Sequence, residues 1–245
     1  ELSHGIATST EARSAFVAYP REHLQRAEAE FDVDRGEGES DCLPPTPNDD
    51  VLLSILIENA QVLMRNREYN LAFQILRSVQ MRQPNHREAL RWLAECFKEM
   101  QRFEEALKCF KALDRLYPSG ESHFLLAQLL YLMGRDDEAF KNYQDAMLLL
   151  RSDSELLFEV YKNLGNILVR LGDYEGAEEN YNRAFVLQPE SDALLVNYGT
   201  LEVQRDNIEA ALERFRTAIA LAPHNDKAWV GLALVHRHMG DLELS

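Results

Sequence analysis

The 245-residue chain is 46% apolar and 27% charged, with a formal net charge of -15, a balance that supports a folded core and repels nucleic acid and anionic lipid surfaces. Only 8 Pro and 11 Gly argue against a turn-rich all-β protein, and the longest nearly apolar run, the ten residues Phe124 to Met133, is too short for a bilayer span. Three cysteines, Cys42, Cys96 and Cys109, odd in number and without metal-ligand spacing, point to a reducing compartment and a cytoplasmic location.

The chain opens at Glu1 rather than Met and shows no secretory signal, which reads as a processed or excised piece. Residues 1–31 are expected to form a partly helical N-terminal arm. Pro20 suits a helix start, and Leu24, Ala27 and Phe31 fall on one face of PREHLQRAEAEF. Residues 32–50 read as an acidic linker, because between Glu28 and Asp50 nine acids stand against Arg35. The stretch DVDRGEGESDCLPPTPNDD is too poor in apolar surface to offset the entropy of ordering, so residues 32–48 are expected to be extended. The arm is a cap, a tether or a partner-mimicking segment; a docked arm would use Phe16, Val17 and Leu24.

From residue 51 onward the chain repeats. Pro84 and Pro118 are 34 residues apart, as are Pro189 and Pro223, and the 71 residues between Pro118 and Pro189 are two such periods plus three. Twelve residues before each proline stand Ala72, Ala106, Ala177 and Ala211; eight before stand Leu76, Phe110, Tyr181 and Phe215; twenty-four before stand Ala60, Ala94, Gly165 and Gly199. Small residues on both members of a helix pair permit a close crossing, and large ones at helical spacing, such as Tyr161, Leu164, Leu168 and Tyr181, fill the rest of the core. Gly165 therefore reads as a packing position and Gly172 as a turn, with Asp173 able to cap the next helix and Pro189 ending the unit.

Catalytic patterns are absent: no Gly-rich phosphate loop, no His-Glu-x-x-His and no Gly-x-Ser-x-Gly. His236 and His238, two apart on a helix, point to different sides, and Cys96 and Cys109 read as small buried hydrophobes. No enzymatic activity, catalytic residue, cofactor or metal is expected.

The period and its columns resemble the tetratricopeptide repeat over residues 53–245, in units Leu53–His86, Arg87–Ser119, Gly120–Leu157, Phe158–Ser191, Asp192–Asn225 and Asp226–Ser245. The third unit keeps Gly134, Ala139, Tyr143 and Ala146 but has Arg151 where Pro is expected, and Ser154 to Leu157 are extra, which lengthens a helix or loosens the junction. The resemblance implies an all-α fold, a right-handed superhelical solenoid of antiparallel helix hairpins over 51–245, with five full repeats and the first helix of a sixth. Gly172, Pro189 and the columns at Ala106 and Ala177 then mark turns, ends and crossings. The uncapped last helix leaves an apolar face for self-association or for chain beyond Ser245.

In this family the first helices line a concave groove that holds partner proteins or peptides. By that resemblance the groove columns hold Glu88, Arg91, Trp92, Glu95, Lys98 and Glu99 in the second unit, and Glu121, Phe124, Leu125, Gln128, Tyr131 and Leu132 in the third. They hold Glu159, Lys162, Asn163, Asn166, Val169 and Arg170 in the fourth, and Val196, Asn197, Thr200 and Gln204 in the fifth. Trp92, Phe124 and Tyr131 are expected to form an apolar wall flanked by Arg91, Lys98, Lys162 and Arg170, suited to an amphipathic or acidic peptide. Trp92→Ala should then weaken binding while leaving the melting temperature intact. Lys162, Asn166, Asn197 and Lys227 match four positions of the family's carboxylate clamp, and Gly231 stands at the fifth, usually Arg. The implied function is a scaffold for protein–protein interaction, with a clamp-type co-chaperone or the interaction portion of a larger signalling protein or enzyme as alternatives.

Overall fold

The computed structural model describes residues 47–240, so the arm of residues 1–31, most of the linker and residues 241–245 lie outside the described residues. Among the described residues there are eleven helices and no strand: α1 (Pro47–Arg65), α2 (Tyr69–Arg82), α3 (Arg87–Glu99), α4 (Phe103–Leu116), α5 (Gly120–Leu132), α6 (Asp136–Leu149), α7 (Leu156–Leu171), α8 (Tyr174–Leu187), α9 (Asp192–Gln204), α10 (Ile208–Leu221) and α11 (Asp226–His238). They form two compact units, divided between Tyr117 and Pro118. The first holds hairpins α1–α2 and α3–α4; the second holds α5–α6, α7–α8 and α9–α10, then the single trailing helix α11.

Each hairpin turns by the same device. One or two residues past the first helix the backbone is left-handed, at Arg67 (φ 62°), Gln101 (60°), Gly134 (72°), Gly172 (80°) and Asp206 (62°), and Gly240 (77°) stands likewise after α11. The next amide reaches back to the preceding helix, as from Arg102 N to Phe97 O at 2.8 Å and from Asp173 N to Leu168 O at 2.9 Å, satisfying carbonyls the helix end leaves unbonded. The expected Gly172 turn and Asp173 cap are both present, the Asp173 carboxylate accepting from Gly176 N. At the far end, Pro84, Pro118, Pro189 and Pro223 each stand two residues past the last helical residue. Arg151 takes that place after α6, so α6 stops without a proline.

The column residues are where close crossing requires them. Ala72, Ala106, Ala177 and Ala211 have no exposed surface. A methyl group on Gly199 would stand 2.7 Å from Cε1 of Phe215, and one on Gly165 would collide with the ring of Tyr181. These glycines let one helix backbone lie against an aromatic ring.

Two expectations change. Helix α1 begins at Pro47, four residues inside the expected linker, because a proline lacks the N–H that a first helical turn leaves unbonded. The extra residues of the third unit form the turn after α6 and lengthen α7, which has 16 residues where α5 and α9 have 13. Leu157, inside the insertion, is buried, so the added turn is packed.

Candidate functional site

In the second unit the first helices α5, α7, α9 and α11 touch in succession, and each second helix packs behind its own first helix. The expected polar residues sit on this row. Lys162 lies 2.7 Å from Glu159 Oε2, with its ammonium 5.2 Å over the ring of Phe158. Asn166, one turn further on, accepts a 2.7 Å hydrogen bond from the Tyr181 hydroxyl through Oδ1, leaving its amide hydrogens directed elsewhere. Asn197 is half-buried on α9, and Lys227 is exposed in the first turn of α11.

Asn163 belongs to the core. It is buried, and its Nδ2 donates to the Tyr143 hydroxyl at 2.9 Å. Burial pushes the phenols of Tyr143 and Tyr181 far above their ordinary range and holds them neutral; a hydrogen-bonded phenol in a dry core is a structural strut. Gly231, at the fifth clamp position, is packed against the Phe215 ring so tightly that a methyl group there would collide with it, so no cation can arise from that position.

The expected apolar wall is corrected at Phe124. Its ring is turned into the α5–α6 hairpin, 6.1 Å from the ring of Tyr143, and it is only 6% exposed. Leu125 is likewise buried. Tyr131 is half-buried, and its ring face is covered by the Arg170 guanidinium at 4.1 Å, which also pairs with Asp136 at 2.9 Å. Tyr131 and Arg170 therefore join α5 to α7 as a stacked pair, with Gln128 half-buried one turn before.

Trp92 falls in the first unit and is described within it. Its Nε1 is enclosed without a hydrogen-bond partner, and the Arg91 guanidinium lies 5.5 Å from its ring. Glu95 pairs with Lys98 one turn along α3. An enclosed indole stabilises the hairpin it touches, so Trp92→Ala is expected to lower the melting temperature as well as any affinity.

Two residues escaped the sequence reading. Val230 and Leu234 occupy on α11 the columns that Lys162 and Asn166 occupy on α7, 68 residues or two periods later, and they are 59% and 46% exposed. The column spacing was the signal that could have found them. No group of three His, Cys, Asp or Glu among the described residues could hold a metal. Cys96 and Cys109 are buried free thiols, pushed up by burial to about 11 and about 12, which makes them poor nucleophiles.

Three tetratricopeptide repeat family models match this chain, over residues 63–123, 120–190 and 198–245. The chain belongs to the tetratricopeptide repeat family. It is 29% identical over 152 residues to the DnaJ homolog subfamily C member 7 homolog of Schizosaccharomyces pombe, covering 57% of this chain and 32% of that protein. It is 37% identical over 70 residues to intraflagellar transport protein 70A2 of Rattus norvegicus, covering 28% of this chain and 10% of that one. The chain thus spans about a third and a tenth of the two relatives' lengths.

Among solved structures it resembles PilW, a type IV pilus biogenesis factor, with a TM-score of 0.72 at 15% identity over 79% of this chain and 88% of that one. It also resembles YrrB, a tetratricopeptide repeat protein with an unusual peptide-binding site, with a TM-score of 0.57 at 20% identity over 71% and 88% of the two chains. At these identities the likeness shows the fold. No helix among the described residues is long and apolar enough to cross a membrane.

Proposed function

We propose that this chain is a non-catalytic scaffold that holds a partner peptide or helix against the first helices of its second unit. The observation that carries the reading is the row of polar and half-buried groups the hairpin cores leave over: Lys162, the amide hydrogens of Asn166, Asn197 and Lys227, beside exposed Val230 and Leu234. Cations next to apolar side chains suit an amphipathic partner with acidic character. Free buried thiols at Cys96 and Cys109 favour a reducing, cytoplasmic setting.

The test is selection of binders from a random peptide library, followed by titration against variants. Lys162→Glu combined with Lys227→Glu should weaken the selected peptides at least tenfold. Arg183→Glu, on the exposed surface of α8, should leave affinity unchanged. Equal effects of the two changes would place binding away from the row.

A carboxylate-clamp co-chaperone is the narrower form of this reading. It draws on the four matched clamp positions and on similarity to a relative named as a DnaJ homologue. Charge-assisted bonds from two ammonium groups and two amides would hold a terminal carboxylate, so amidating a bound peptide's C-terminus should cost at least tenfold in affinity. No change on amidation leaves the general scaffold. The short span of the relatives also fits the interaction portion of a larger signalling protein or enzyme, which the full open reading frame decides. Self-association through α11 would draw on Trp229, Val230 and Leu234, and sedimentation across a concentration series reads it directly.

A further inference from the structure

Arg170 stands in the last turn of α7, with its guanidinium 4.1 Å from the centre of the Tyr131 ring and its Nη2 2.9 Å from Asp136 Oδ1. That carboxylate oxygen is enclosed and receives no hydrogen bond among the described residues. The pair is therefore joined by charge, and the guanidinium N–H groups point elsewhere. The Arg170 side chain remains 43% exposed. A guanidinium positioned by a ring, with uncommitted donors open to water, is prepared to receive an anion.

The same side of α7 carries Asn166 one turn back and Lys162 two turns back. Eight residues of helix set Lys162 and Arg170 about 12 Å apart along the axis. Lys162 is bonded to Glu159 Oε1 at 2.8 Å, and an ammonium has three donors, so it can take a further acceptor. Asn166, between the two cations, keeps its amide hydrogens, because only its oxygen is engaged by the Tyr181 hydroxyl.

We infer that the partner is an extended segment laid along α7, with one acidic side chain on Lys162 and a second, four residues away, on Arg170. This rests on the scaffold reading above and gives that site its ligand chemistry. In an extended chain residues i and i+4 share a face and stand about 13 Å apart, which matches the separation of the two cations. A main-chain carbonyl between the two acids then falls beside Asn166 and accepts from its amide. A partner helix would keep its carbonyls for its own hydrogen bonds and leave that amide without an acceptor. Both acids are side chains, so no free C-terminus is required.

The test selects peptides from a random 12-residue library on the full chain and measures the tightest by fluorescence anisotropy. They should carry two acids four residues apart, and exchanging either acid for its amide should weaken binding at least tenfold. Arg170→Gln should also cost at least tenfold, and in that variant exchanging one particular acid of the peptide should then cost less than twofold. Lys162→Gln should do the same for the other acid. Arg170→Lys keeps the charge but loses the fork, and should still cost at least threefold. Far-ultraviolet circular dichroism of each variant separates loss of the site from loss of the fold. Peptides that respond to Lys162→Gln but not to Arg170→Gln would overturn this inference and leave the scaffold reading standing. Acids seven residues apart would mean a helical partner and overturn it equally. Selection of no binder, or of peptides indifferent to both changes, would overturn both readings.

Discussion

The column eight residues before each helix-ending proline holds Leu76 and Phe110 in the first unit, but in the second the same column holds Tyr143, Tyr181 and Phe215. All five are buried. The difference lies in what the hydroxyl adds. Tyr143 is bonded by Asn163 and Tyr181 bonds to Asn166, so the α7 face that carries the candidate site also braces the hairpin cores. In the first unit the large side chain is purely apolar and carries no hydroxyl, and two thiols, Cys96 and Cys109, are buried. A site built from core-bracing amides is rigid, because each amide is held by the group it satisfies.

The largest expected effect separates the two units at their crossing glycine. The first unit has Ala60 and Ala94 in the column where the second has Gly165. In an ordinary helix interior Gly→Ala stabilises by up to about 1 kcal/mol. At Gly165 the added methyl meets the ring of Tyr181, which is buried, so Gly165→Ala should instead destabilise, by about 3 kcal/mol. The urea midpoint gives the sign, and a rise would mean that the Tyr181 ring yields to the added methyl group.

Next comes the phenol brace. Tyr143→Phe leaves the buried Asn163 amide without its acceptor and should cost roughly 1–3 kcal/mol. Adding Asn163→Leu removes both polar partners, and Leu already stands in that column at Leu125, so the double variant should recover most of the loss. A double variant no more stable than the sum of the singles would show that the bond contributes nothing beyond packing.

How much of this could be read in advance follows from the same columns. The period of 34, the crossing alanines and the proline stops were legible because each is a backbone or steric requirement, repeated several times. The side-chain directions were harder. Phe124 looked like a groove aromatic by column, yet the ring of Tyr143 offered it a dry partner within its own hairpin. Asn163 and Asn166 looked alike, and only the position of a phenol hydroxyl on a neighbouring second helix makes one core and leaves the other half open. The repeat dictates where a residue stands; what its polar atoms meet depends on the one or two neighbours that differ between repeats.

Alkaline pH should also distinguish the units. Burial raises Cys96 from an ordinary value near 9 to about 11, and Tyr198 from near 10 to about 12. A raised acid favours the folded state fully below its unfolded value, and that contribution is lost as pH climbs towards the folded one. The thiols of the first unit should therefore begin to weaken it at about pH 9, one unit before the phenols weaken the second. The urea midpoint should start to fall near pH 9 in the unsubstituted chain but only near pH 10 once Cys96→Ala and Cys109→Ala are introduced together.

The smallest effect concerns the turns. In the first unit the left-handed residues are Arg67 and Gln101, while in the second they are Gly134, Gly172, Asp206 and Gly240. The geometry is the same, since Arg102 N and Arg135 N make equivalent bonds back to Phe97 O and Leu130 O at 2.8 and 2.9 Å. A side chain at positive φ crowds the following carbonyl, at a cost of roughly 1 kcal/mol, which glycine escapes. Glycine also gains entropy in the unfolded chain, which takes back part of that benefit. Gln101→Gly should therefore stabilise by about 0.5 kcal/mol, and Gly172→Gln should destabilise by about 1 kcal/mol. Neither residue has a neighbour to lose: a side chain on Gly172 meets nothing within 4 Å, and Gln101 is exposed. If Gln101→Gly lowered the urea midpoint, the Gln101 side chain would be contributing something that its left-handed position and exposure do not reveal.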